Sequence, residues 1–409
     1  MKRFAVVVTF GALLAGCQDP SVGTTVEPVY VVPTSLDALS EATFFDHPFP
    51  SDLRRPDGKV RFLGWPNPKN VPLITQYIGF IDDKLEGFSP VATGFARFDG
   101  ALDPASLPAD QAPPTAASSV QLIDVDPMSP ERGERHPIYV TFRKEAGVYW
   151  PENTLAFMPV PGLPLRPHTR YAFVATDALQ PEGGGVVQAS DTLKQVLGVE
   201  EPSASEVTAL RDALAADVAE VEADGVAKDS IVHFSVFTTD DPTDEFVAAA
   251  KALPTQVAAP TADPAKWTLN KEGMLFDEYQ GEYGPTPRYQ AGKIPYSSFG
   301  DGGGFEPDAS GVPQVQDTFT LRFSLTVPKA DQCPMPANGY PIVLYAHGTT
   351  GDFRSYVLDG TAASLTGQCL AVMGVDQIFH GTYPGAPDSD TSKEILFFNF
   401  NNIESARTN

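Results

Sequence analysis

Tyr340-Pro341-Ile342-Val343-Leu344-Tyr345-Ala346-His347-Gly348-Thr349-Thr350-Gly351 decides how this chain is read. A short apolar run bounded by turn residues reads as a buried strand, and this one stops abruptly in the small residues after His347. A second apolar run, Leu370-Ala371-Val372-Met373-Gly374-Val375-Asp376, ends in an acid. The two runs predict two short strands. Working backwards, Thr318 to Pro328 reads as a strong strand leading into them, and the region from about Trp267 is hairpin-like and rich in Tyr, Gly and Pro. The run Gly300-Asp301-Gly302-Gly303-Gly304 invites a phosphate-loop reading, but no Lys-Ser/Thr follows and no helical period begins there. It is expected to be a flexible hairpin tip.

The chain has 409 residues, 42% of them hydrophobic, enough to bury large cores in two or three domains. Thirty-nine prolines and 34 glycines beside 26 phenylalanines predict many short strands with tight connections and few long helices. The formal charge of −24 is spread along the sequence. Such a surface repels phosphate backbones and anionic headgroups, which excludes nucleic acid and a polybasic membrane patch as partners. There is no metal-ligand spacing and no dinucleotide fingerprint, so no metal or cofactor is implied.

Residues 1–17 combine Met1-Lys2-Arg3, an apolar run from Phe4 to Ala15 too short to span a bilayer, and Gly16-Cys17. Leu14-Ala15-Gly16-Cys17 resembles the bacterial lipobox, which implies a lipoprotein signal peptide and diacylation of the Cys17 sulfur. Gln18 in place of Asp implies the outer membrane, so the expected location is the bacterial cell envelope, with the membrane as partner through the anchor. Residues 18–40, rich in Thr, Val, Pro and Ser, read as a tether. With Cys17 committed to lipid, Cys333 and Cys369 remain as an even pair in an oxidising compartment. They are expected to form a disulfide, two buried free thiols being the alternative.

Residues 41–87, punctuated by proline and aromatics, read as a structural lead-in in which His47 has no second ligand nearby. Short alternating runs follow in residues 88–257: Thr93–Phe98, Ser119–Asp124, Ile138–Phe142, Thr154–Met158 and Arg170–Ala175. Their spacing predicts a β-sandwich. Leu165-Arg166-Pro167-His168-Thr169-Arg170-Tyr171 is similar to the last hairpin of bacterial immunoglobulin-like modules. Ser203 to Asp224 carries apolar residues at Val207, Leu210, Leu214, Val218 and Val221, a helical period opened by a capping box at Ser203 and Glu206. Ile231 to Thr238 is a strand returning to the sandwich, with His233 expected on the sheet surface. A second helix is expected from Asp244 to Leu253, then a linker from Ala258 to Pro264.

In acyl transfer the tetrahedral intermediate places a full negative charge on the former carbonyl oxygen, and preset backbone amides stabilise it. A strand ending in small residues supplies them. The turn His347-Gly348-Thr349 resembles the His-Gly turn after the third strand of α/β-hydrolases, and Leu370 to Asp376 with Gln377-Ile378-Phe379-His380-Gly381 looks like the fourth strand and its loop in lipoprotein-type bacterial lipases and esterases with an immunoglobulin-like extension. The resemblance implies oxyanion-hole candidates at His347, Gly348 and Thr349, with the Thr349 amide the best donor, and an ester as substrate of a full-length form. It implies a mixed fold: an N-terminal β-sandwich with a helical insert, then residues 265–409 as the front half of an α/β-hydrolase sheet.

In that fold the serine nucleophile, acid and histidine follow the fourth strand, and no Gly-x-Ser-x-Gly occurs here. Ser355, Ser364, Ser389, Ser392 and Ser405 all lack the flanking glycines. His380 and Asp376 have no activated serine to serve, so no catalytic residue is nominated. The expected protein is therefore an envelope lipoprotein related to ester hydrolases, truncated before the nucleophile and inactive as given. The alternative is a surface binding or adhesion lipoprotein working through its sandwich. An early-stopped parallel sheet is also expected to leave an edge and an apolar face uncovered.

Overall fold

A computed structural model describes residues 23–110 and 113–409. The fold is mixed, with many β-sheets and few helices, α1 (Pro72–Lys84) the first of them and α7 (Asp390–Phe398) the last but one. The chain forms two compact units, one of residues up to Lys69 with Lys84–Asp240, the other of Asn70–Asp83 with Asp241–Asn409. The expected signal peptide and Cys17 lie outside the described residues. No described helix is long and apolar enough to cross a membrane.

The first unit contains β1 (Thr24–Val26), β2 (Gly94–Arg97), β3 (Val120–Asp124), β4 (Ile138–Arg143), β5 (Thr154–Pro159), β6 (Arg170–Thr176), β7 (Gly185–Val187) and β8 (Ile231–Thr238). Strands β2-β5-β4 and β3-β6-β8 make two three-stranded antiparallel sheets, and β1 pairs in parallel with β7. Phe157 of one sheet meets Phe173 of the other at 4.2 Å between ring centroids. The far side of the β3-β6-β8 sheet is covered by α2 (Asp191–Val196) and α3 (Ser205–Ala223), whose Val207, Leu210, Leu214, Val218 and Val221 are buried with Val174, Phe234 and Val236. Layers on both faces bury seven of the eight β8 residues, including His233 and Ser235, instead of alternate ones.

Four expectations change here. His233 is not on a surface: it is 1% exposed, on the β8 face opposite the α3 contact, its ring 5.0 Å from that of Phe173. The capping box does not form, because α3 starts after Ala204 and the Ser203 amide and hydroxyl both donate to Gln195 Oε1. The helix expected to end at Leu253 is α4 (Asp244–Gln256), which runs through Pro254 and belongs to the second unit. The stretch expected to be a tether to residue 40 is packed from Thr24 onward: Val26, Tyr30 and Val32 are buried, and the Tyr30 hydroxyl donates to the Phe234 carbonyl at 2.9 Å.

The lead-in is fixed by charge as well as by rings. Arg54 lies 4.3 Å above Phe44, whose ring packs on Phe49 and Trp65. Arg170 on β6 reaches Asp52 at 2.8 Å and holds Asp217 of α3 through two nitrogens.

The second unit contains β9 (Thr268–Glu272), β10 (Phe276–Arg288), β11 (Gln290–Gly292), β12 (Gly302–Phe305), β13 (Asp317–Pro328), β14 (Ile342–Tyr345) and β15 (Ala371–Val375). Five of these form one sheet in the order β14-β15-β13-β10-β9. Every pair is antiparallel except β14 and β15, where Val343 faces Val372 in parallel register. Tyr356 of α5 (Ser355–Leu358) and Ala362 of α6 (Thr361–Thr366) cover Phe276 and Val372 on one face. The Cys333–Cys369 disulfide, with Cα atoms 5.4 Å apart, ties the segment after β13 to the turn before β15.

The glycine run is not a free hairpin tip. Gly302–Phe305 is β12, paired with β11. Helix α8 (Ile403–Thr408) lies so close that a Cβ on Gly303 would sit 2.6 Å from Ser405 Cβ. The Asn402 side-chain nitrogen Nδ2 lies within hydrogen-bond distance of the carbonyls of Tyr296, Ser298 and Gly302 and donates to them, locking the same contact.

Candidate functional site

At the carboxyl ends of β14 and β15 the chain makes two turns that brace each other. His347 follows β14 and is buried; its Nε2 accepts the Gln377 amide at 3.0 Å, so its Nδ1 carries the proton and donates to the Gly348 carbonyl at 2.8 Å. His380 follows β15 and is also buried. Its Nε2 accepts the Thr350 amide at 3.2 Å, while Nδ1 donates to the Ile378 carbonyl at 2.8 Å. The two rings stand edge to face, 4.9 Å apart. Burial, with the neighbouring His380 a smaller contribution, holds His347 below the usual imidazole range.

Beneath the turns lies the carboxylate of Asp376, its side chain fully buried. It accepts from Arg322 Nε at 2.6 Å, from the Thr382 amide at 2.9 Å and from the Phe353 amide at 3.2 Å. Burial pushes this carboxyl up, but the Arg322 guanidinium and the two amides outweigh it and hold it below the ordinary range. Arg322 is in turn seated 4.0 Å above the Phe353 ring. Gly381 permits the arrangement: at φ 54°, a Cβ there would meet the Asp376 carboxylate at 2.1 Å.

A second buried carboxylate anchors the far end of the first turn. Glu278 of β10 accepts from Arg354 at 2.7 and 2.9 Å, from Ser324 at 2.9 Å and from Asn270 at 3.0 Å. Burial pushes Glu278 up, yet the hydrogen bonds led by Arg354 bring it down to about 2.

Between these braces Gly348, Thr349 and Thr350 are exposed. Among the described residues the Gly348 and Thr349 amides have no protein acceptor, whereas the Thr350 amide is committed to His380. A Cβ on Gly348 would meet nothing within 4 Å, so open space lies over the turn. The arrangement is a braced turn at the end of a parallel strand, with two exposed residues whose amides have no protein acceptor among the described residues. His347 contributes as a brace: both ring nitrogens already have backbone partners.

The nucleophilic and ligating groups beside the two turns are engaged by the protein. The Ser355 hydroxyl accepts the Asp352 amide at 2.9 Å, and neither His347 nor His380 is bonded to a serine. Asp376 and both rings are fully engaged by the protein and offer no free ligand set for an ion. Arg322, Phe353, Thr382 and the Glu278–Arg354 pair escaped the sequence reading. Only Gly381, five residues after Asp376, left a trace of them. No family model matches this chain, and no curated protein matches it.

Proposed function

We propose that this chain is a lipid-anchored protein of the bacterial envelope, related to carboxylic ester hydrolases, in which the turn after β14 is the oxyanion-stabilising part of the site; residues 1–409 hold no Gly-x-Ser-x-Gly beside it. The observation that carries the reading is the exposed Gly348–Thr349 amide pair at the end of β14, held in place by His347, His380 and Asp376. Preset amides of this kind matter where negative charge develops on a carbonyl oxygen, and each is worth ~3–4 kcal/mol of barrier when a nucleophile is present. The parallel pairing of β14 with β15 and the antiparallel strands beyond them support the α/β-hydrolase kinship. The two three-stranded sheets facing each other through Phe157 and Phe173 support an immunoglobulin-like first unit. Lipid attachment at Cys17 rests on the lipobox.

Purified 409-residue chain assayed against short-chain p-nitrophenyl esters is expected to give no turnover above a heat-killed control. Turnover would overturn the incomplete-site reading. The gene beyond codon 409 tests the kinship itself: a Gly-x-Ser-x-Gly in any downstream frame supports it, and unrelated sequence favours a binding lipoprotein.

A further inference from the structure

The first packed residues of the chain set how its first unit meets a membrane. From Cys17 to Thr24 is seven residue steps, which even fully extended reach no more than roughly 25 Å. Thr24 is already pinned, opposite Gly185 in the parallel β1–β7 pair, and Val26 is 1% exposed. A body of this unit's size has a radius of gyration of about 17 Å. A leash this short therefore selects one side of it, the side where the chain enters.

That side is not uniformly polar. Beside Gly23 runs the turn Glu182-Gly183-Gly184-Gly185, followed by Val186, which is 55% exposed. Glu182 pairs with Lys144 at the base of the β4–β5 hairpin, which brings the hairpin loop alongside. The loop carries Val148, 53% exposed, then Tyr149 and Trp150, the last 40% exposed. Trp150 closes the loop through its carbonyl, which accepts the Gly147 amide at 2.9 Å. Indole and phenol rings with one apolar and one wet end suit the headgroup level of a bilayer. Lys144 and Glu182 pair with each other, and the other charges of the hairpin, Arg143, Glu145 and Glu152, are of mixed sign, so the rim carries no cationic patch and suits a neutral lipid surface better than an anionic one.

We propose that this rim, the Val148–Trp150 loop with the Glu182–Val186 turn, lies on the lipid surface once Cys17 is acylated, with Trp150 at the headgroups. The inference rests on the lipid anchor put forward above. The test uses the full chain produced with its own leader, reconstituted into phosphatidylcholine vesicles brominated on the upper acyl carbons. Trp65 and Trp267 pack against Phe62 and Phe323 and serve as internal references. Bromolipid quenching of the wild-type emission is expected, and Trp150→Phe is expected to abolish it. Ten Gly/Ser residues inserted between Val22 and Gly23 leave the fold untouched and are expected to lower the quenching about two-fold or more, since effective concentration falls with tether length. Mass analysis of the N-terminal peptide separates the two ways of failing. Acylated Cys17 with quenching unchanged in Trp150→Phe overturns the rim alone; unmodified Cys17 overturns the anchor and the rim with it.

Discussion

Strand β8 in the first unit and strand β14 in the second are both short apolar runs, yet they end in opposite circumstances. Seven of the eight β8 residues are buried between a facing sheet and α3. β14 is the last strand of its sheet, and Ile342 and Leu344 stand 57% and 76% exposed. The first unit is closed around its core. The second is held together less by apolar burial around β14 than by buried ion pairs and a disulfide behind it. An apolar edge strand is a pairing surface, so one unit is finished and the other is open to a further strand.

The largest effect expected from breaking this contrast is at Glu278. Glu278→Ala strands the Arg354 guanidinium at the sheet and is expected to destabilise the second unit by about 3–5 kcal/mol, since removing one partner leaves an uncompensated charge. Urea unfolding followed through Trp267, in a Trp65→Phe, Trp150→Phe background, reads that unit selectively. An unchanged midpoint would show that the pair is not what holds it.

Acid should separate the two units next. His233 is buried with no hydrogen-bond partner on either ring nitrogen, and burial pushes it down to about 3. The unfolded chain binds this proton more readily. The first unit therefore loses stability as pH falls from about 6.5 toward 3, by about 4 kcal/mol across the window. His233→Leu is expected to flatten that limb. Glu278 acts in a different window: its folded-state value lies below the unfolded one, so its contribution is complete above about 4.5 and fades as pH falls toward 2. His47 in the first unit and His347 in the second are also shifted down and steepen the upper part of both curves. Unfolding curves between pH 7 and 3 with and without His233→Leu check the assignment, and an unaltered limb counts against it.

Reduction of Cys333–Cys369 comes third. Opening a loop with a sequence separation of 36 is expected to cost the second unit about 3–4 kcal/mol and the first nothing. Dithiothreitol in the same unfolding experiment, beside Cys333→Ser/Cys369→Ser, measures it. The smallest effect on stability is at the open edge itself. Leu344→Lys is expected to change the unfolding midpoint by no more than about 0.5 kcal/mol while reducing self-association in light scattering. A large loss of stability would mean that Leu344 is packed after all.

The parts of the fold written in local pattern were legible from the residues. The period of Val207, Leu210, Leu214, Val218 and Val221 placed one face of α3, and the apolar runs at residues 318–328, 342–345 and 371–375 placed the strands. The two remaining cysteines gave the disulfide. What failed needed a distant partner. His233 alternates with apolar neighbours as a surface residue does, and only the second sheet buries it. The glycines at 302–304 look like a loose tip until α8, a hundred residues later, packs onto them. Ser203 forgoes its cap because Gln195 is nearer.

The candidate site divides in the same way. By itself the sequence determined that a strand would stop at His347 and leave main-chain amides in small residues, because that is dictated by the run of side chains alone. Tertiary structure decided which amides stay free. Among the described residues Gly348 and Thr349 have no acceptor for their amides, whereas His380 takes the amide of Thr350 and Asp376 takes that of Phe353, and both of those acceptors come from the loop after the neighbouring strand. Hydrogen bonds across a sheet join residues whose separation along the chain carries no local signal, so pairing could be read only once the strands lay side by side.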